Sequence, residues 1–98
     1  MPKAYWVVTY RSIKSPEKLA AYAKLAAPAV EAHGGKFLVR GMPAKVYEAG
    51  INQRTVVSEY PSLQAALAAH DSPAYKKALE ALGDGAERDL RIIEGYSG

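Results

Sequence analysis

The sequence contains no cysteine, which excludes a disulfide framework, a thiolate metal site and a cysteine nucleophile at once. Histidine is nearly as scarce. The two present, His33 and His70, lack an i, i+4 relation and a third ligand nearby, so no metal site is expected. The patterns HExxH and GxSxG, the Walker loop, the dinucleotide fingerprint and the calcium loop are all missing. Gly34-Gly35 leads into a strand pattern rather than a helix N-terminus, so the pair reads as a helix stop and not as a phosphate cradle. No stretch approaches the roughly 20 apolar residues that cross a bilayer. The apolar run within Met1 to Tyr10 is too brief for a secretory h-region. These absences predict a cytoplasmic protein with no cofactor and no membrane partner.

Neither sign of charge dominates. Thirteen basic residues against ten acidic ones give a formal charge of +3, but the basic residues are scattered, with Lys76-Lys77 as the only adjacent pair. A solvated surface accounts for them better than a stripe tracking phosphates, and no nucleic-acid partner is expected. With 49% apolar and 23% charged residues in 98 positions, the chain has the composition of one globular domain spanning residues 1–98.

Local signals divide the chain cleanly. Ala4 to Arg11 is β-branched and aromatic and reads as a strand. Ser15-Pro16-Glu17 then opens a helix with a cap, a proline in the first turn and an acid at the positive end. Leu19, Tyr22, Ala23, Ala26 and Val30 recur at helical spacing. Pro28 cannot donate to the carbonyl of Lys24, which predicts a kink or a break into two segments. Strands follow over Lys36 to Arg40, Lys45 to Glu48 and Arg54 to Tyr60. Ser62 caps a helix through His70, Ser72-Pro73 starts another ending at Gly83, and Arg88 to Tyr96 is the last strand. The order is the βαββαβ plan of an α+β, ferredoxin-like fold, an antiparallel sheet with helices on one face.

A sheet wet on one side alternates apolar with polar residues. Here Trp6, Val7 and Val8 are consecutive, as are Val56 with Val57 and Ile92 with Ile93, so both faces ask for cover. An uncovered patch of several hundred Å² exceeds what monomers usually expose. At about 25 cal/mol per Å², its burial against a second copy offers on the order of 10 kcal/mol before association costs. A face-to-face homodimer is expected.

Several segments together resemble the domain of unknown function 1330 family: Tyr5-Trp6, Ala27-Pro28-Ala29, Gly34 through Gly41 (GGKFLVRG), Arg54 through Val57 (RTVV), Ser72 through Tyr75 (SPAY) and Gly85 through Gly95 (GAERDLRIIEG). The resemblance extends over nearly the whole chain. Tyr60, where phenylalanine is common, and Met42, where a second glycine is common, depart from the family pattern. The resemblance implies a dimeric α+β barrel in which two sheets enclose a cavity, and no particular reaction. Related barrel families include cofactor-free monooxygenases, isomerases and lactone-processing enzymes, a link of fold alone.

The residues that invite a chemical role are few. Glu59 shares a strand face with Val57 and Thr55; if enclosed there, its carboxyl gains proton affinity unless an arginine pairs with it. His33, in the last helical turn, reads first as a cap, with a general base as the alternative. Glu59 and His33 are therefore the catalytic candidates. Arg40, Arg54 and Arg88 are candidate ligand contacts, with Trp6 and Tyr75 as aromatic walls for a small organic molecule. The expectation is a small-molecule-binding protein or a cofactor-independent isomerase, lyase or monooxygenase with its site in the barrel cleft. A non-catalytic dimerisation module is the alternative. RNA binding, which RRM domains achieve on the same plan, is disfavoured because Gly35 to Gly41 lacks the paired aromatics that stack bases.

Overall fold

The computed structural model describes residues 2–96. Its elements run β1 (Ala4–Ile13), α1 (Pro16–Ala32), β2 (Lys36–Gly41), β3 (Thr55–Tyr60), α2 (Leu63–Asp71), α3 (Pro73–Leu82) and β4 (Ala86–Glu94). All three helices begin as their sequences dictate. The hydroxyls of Ser15, Ser62 and Ser72 accept from the backbone N–H groups of Lys18, Ala65 and Tyr75 at 3.2, 3.1 and 3.2 Å. Each such cap contributes about 1 kcal/mol. After α1 the chain turns at Gly34, whose φ of 78° is a conformation glycine adopts without steric cost.

The four strands form one antiparallel sheet in the order β2-β3-β1-β4. The helices cover one face only. From β1, Ala4, Trp6, Val8 and Tyr10 point into the core, where Tyr60 and Ser58 of β3 join them. The helices answer with Tyr22, Ala26, Ala29, Val30, Ala66, Ala69, Tyr75, Ala78 and Leu82. Five of these nine are alanine, and so small a side chain lets helix backbone and sheet approach closely. The Trp6 indole N–H donates to the carbonyl of Ala66 at 3.0 Å. Its ring meets those of Tyr60 and Tyr75 with centroids 5.2 and 5.0 Å apart.

Three expectations need correction. The sheet is open, with β2 and β4 as separate edges, and is not the closed α+β barrel implied by the family resemblance. Closure takes about eight strands before the interior can hold side chains, and four strands backed by one helical layer make a slab of 37 × 35 × 15 Å. Lys45 to Glu48 is loop rather than strand. That short run finds no partner to pair with, and Glu48 takes φ 54°, outside the extended region. Pro28 does not break α1, which is continuous from Pro16 to Ala32. Pro28 and Lys24 lie on the exposed side of the helix, where water can satisfy the carbonyl that proline leaves without a donor.

The uncovered face carries Tyr5, Val7 and Thr9 of β1, Thr55, Val57 and Glu59 of β3, Val39 of β2, and Asp89, Arg91 and Ile93 of β4. Val39, Val57 and Val7 are successive cross-strand neighbours. They form an apolar centre, and Val39 remains 49% and Ile93 58% exposed. Charge borders this centre. Lys3 pairs with Glu59 at 3.4 Å, and Arg11 and Arg91 pair with Asp89 at 3.5 and 3.0 Å.

Candidate functional site

Between α1 and the covered face of the sheet lies a cleft bounded by Leu19, Tyr22, Ala23, Ala26, Ala27 and Val30 on the helix side, and by residues of all four strands beneath. Its floor follows from register. Tyr10 of β1 receives Arg88 of β4 as its cross-strand neighbour on one side. On the other, its N–H donates to the carbonyl of Arg54 at 3.0 Å. Arg54, Tyr10 and Arg88 thus form one row, and Arg40 of β2, opposite Val56, begins the next. Arg40, Arg54 and Arg88 therefore line the cleft together with Trp6, Phe37 and Ser58. Among the described residues no acidic one does.

Arg88 is held by two phenols. Its Nη1 donates to the Tyr22 oxygen at 2.9 Å and its Nη2 to the Tyr75 oxygen at 3.1 Å. The two phenol oxygens are themselves 2.7 Å apart, so one hydroxyl donates to the other. Both rings are buried, Tyr75 at 0% and Tyr22 at 9% exposed; Tyr75 sits behind Tyr22, outside the cleft lining. The guanidinium also lies over the Tyr22 ring, 4.8 Å from its centroid, which adds cation–π attraction.

Burial, reinforced by the adjacent Tyr75 and opposed by Arg88, pushes the Tyr22 phenol well above its ordinary range. Burial likewise raises Tyr60, against the hydrogen bond from Ser58. Both groups bind their protons more tightly in the folded than in the unfolded chain. Their contribution to stability is thus complete below the unfolded value, about pH 10, and is lost as pH rises beyond it. Unfolding free energy measured against pH is expected to hold level and then fall above about pH 10, with a shallower fall in Tyr22→Phe. A curve that stays level through about pH 11 contradicts this burial.

The proposed contacts Trp6, Arg40, Arg54 and Arg88 all border this cleft, whereas Tyr75 reaches it only through Tyr22 and Arg88. Glu59 does not share it. That carboxylate projects from the uncovered face, accepting from the Tyr5 hydroxyl at 3.1 Å and pairing with Lys3 at 3.4 Å rather than with an arginine. The bond to Glu59, with burial, raises the Tyr5 phenol. His33 occupies the C-cap of α1, where its Nδ1 donates to the carbonyl of Ala29 at 3.0 Å. The sheet separates Glu59 from the helical layer that holds His33, so the two do not converge. Tyr22 was legible only as part of an apolar helical stripe, since its hydroxyl gains a role from Arg88, 66 positions away. Among the described residues, no cluster of three metal-ligating side chains is found and no helix is long and apolar enough to cross a membrane.

Solved structures share the fold at low identity. RPA0582, a protein of unknown function from Rhodopseudomonas palustris, aligns with a TM-score of 0.73 and 20% identity over 99% of this chain and 85% of its own. A dimeric ferredoxin-like protein of unknown function from Jannaschia sp. CCS1 gives 0.74 and 11% over 95% and 99%. SnoaB, a cofactor-independent oxygenase from Streptomyces nogalater, gives 0.63 and 13% over 100% and 97%. No curated protein matches the chain in sequence. The match to the domain of unknown function DUF1330 extends over residues 3–96, and the chain belongs to that family.

Proposed function

We propose that the protein binds a small organic molecule in the cleft between α1 and the sheet, where Arg88 and Tyr22 polarise one of its oxygens. The observation that carries this reading is the composition of the polar lining. Arg40, Arg54 and Arg88 offer only N–H donors, and no acidic residue among the described ones lines the cleft beside them. A partner for them must bring acceptors. The rest of the lining, including Leu19, Val30, Phe37 and Val56, supplies the apolar wall typical of small-molecule sites.

Such an arrangement favours chemistry at a carbonyl. Negative charge that builds on the ligand's oxygen meets the Arg88 guanidinium, held in place by Tyr22 and Tyr75, so little reorganisation is needed. An isomerase-like, lyase-like or monooxygenase-like task without a cofactor fits this electrostatics, and the fold shared with SnoaB, a cofactor-independent oxygenase, is in keeping with it. In this reading Trp6 and Tyr75 buttress the site, Arg40 and Arg54 contact the ligand, and Glu59 and His33 have no part. Fragment screening by amide NMR tests it. Shifts are expected to cluster at Tyr22, Val30, Phe37 and Arg54; shifts confined to the uncovered face count against the cleft.

The same proposal includes a homodimer formed through the uncovered sheet face, as two open sheets stacked about 10 Å apart. An apolar centre with a charged border is the composition of a stable interface. The Jannaschia relative is described as dimeric. Light scattering at micromolar concentration is expected to return twice the mass of the chain.

A further inference from the structure

The charges of the cleft do not balance, and the imbalance identifies what fills it. Every acid with an ion-pair partner among the described residues spends its charge elsewhere: Glu59 on Lys3, Asp89 on Arg11 and Arg91, Asp84 on Lys18, Asp71 on His70. Strand alternation enforces part of this. Asp89 follows Arg88 directly, yet points to the opposite face of the sheet, so it cannot neutralise its neighbour. Arg40, Arg54 and Arg88 have no carboxylate partner among the described residues. The Nε of Arg54 is moreover enclosed without any hydrogen-bond partner. Grouping like charges and enclosing an unmet donor both cost stability, and an arrangement of this kind is relieved by a bound anion.

We infer that the ligand is a small organic acid whose carboxylate is gripped by Arg54 and Arg40, with its apolar portion against Phe37, Val30 and Leu19. This inference rests on the cleft being the binding site. The planar fork of arginine matches the two oxygens of a carboxylate. Arg40 is stationed for that task, its guanidinium lying 4.9 Å from the centroid of the Phe37 ring. The cleft's volume, about 40 Å³, has room for about three water-sized groups, so the head group enters and the remainder lies towards the mouth. A phosphate ester fits less well. Phosphates are usually gathered by the N–H groups of a helix N-terminus, and α1 presents its flank, from Leu19 to Val30, rather than its end.

The decisive measurements are calorimetric titrations with benzoate, phenylacetate and hexanoate, each beside its neutral amide, and with inorganic phosphate, all at low ionic strength. At least one carboxylate is expected to bind ten times or more tighter than its amide and than phosphate, and to weaken as salt is added. Arg54→Met is expected to reduce that affinity tenfold or more, while the melting temperature of the ligand-free variant stays level or rises, because a like charge and an unmet donor are removed together. Four results overturn the inference. Amides that bind as well as the acids keep the small-molecule site but remove its charge selectivity. Phosphate that binds as tightly as the acids makes the cleft a general anion site. An Arg54→Met variant that melts lower yet binds the acids unchanged makes the arginine structural. Titrations silent for every compound sink both the carboxylate and the cleft.

Discussion

Trp6→Ala is expected to lower the unfolding free energy by about 3–5 kcal/mol, the range for removing a large aromatic from a packed core. Total stabilities of domains this size are about 5–15 kcal/mol, so a large share of the folded state's margin is at stake. The cost has three sources on one side chain. Trp6 is 3% exposed, so its whole ring area returns to water or leaves a cavity. Its N–H no longer reaches the Ala66 carbonyl, which loosens the attachment of α2 to the sheet. Tyr75 and Tyr60 lose the ring they pack against. Because Tyr75 orients Tyr22 and Arg88, ligand affinity is expected to drop along with stability, even where most molecules remain folded. Urea unfolding followed by far-UV circular dichroism measures the first effect. A loss below about 1 kcal/mol contradicts the packing described.

Val57→Asp is expected to dissociate the proposed homodimer while leaving most of the protomer's stability intact. Val57 sits between Val7 and Val39 on the uncovered face, so each dimer would enclose two carboxylates in its apolar centre. The effective penalty for enclosing an unpaired ion is several kcal/mol. Two such penalties weaken association by at least about a thousandfold, at 1.4 kcal/mol per factor of ten. Within the isolated protomer the same change costs about 1 kcal/mol of strand preference. Sedimentation equilibrium separates the outcomes. A variant that keeps a dimeric mass places the interface elsewhere and removes the stacked-sheet arrangement.

Much of the fold is legible locally because its punctuation is chemical. Ser15-Pro16, Ser62 and Ser72-Pro73 announce helix starts through residues one to three positions apart, and each hydroxyl caps as read. The two-faced strands likewise show directly in the consecutive valines and isoleucines. What failed locally was Lys45 to Glu48, where alternation suggested a strand but nothing in the run reveals whether a neighbour exists to pair with it. The closed barrel failed for a similar reason: it came from family resemblance, and the open edges at β2 and β4 belong to the strand order.

The candidate cleft was legible in its parts but not in its assembly. Arg40, Arg54 and Arg88 were singled out as candidate ligand contacts, yet their common lining depends on the registers that set Arg54 and Arg88 beside Tyr10, and Arg40 beside Val56. Those registers span dozens of residues. Glu59 shows the converse. Its strand face was read correctly as the one shared with Val57, but which face would be enclosed by helices is decided by the other strands and by α1. Tyr22 carried no local sign of its hydroxyl's importance, because a tyrosine in a helical stripe looks like any other large apolar side chain.

Pro28 has a consequence beyond the local backbone. It removes one rung from the hydrogen-bond ladder of α1 between Ala23 and Val30, the segment that roofs the cavity. Bending a helix at a missing rung is cheaper than bending it where the ladder is complete. Were a guest bound there as proposed, a wider one would be met by flexure of this roof at a defined point, whereas the floor, fixed by the strands, would keep its spacing.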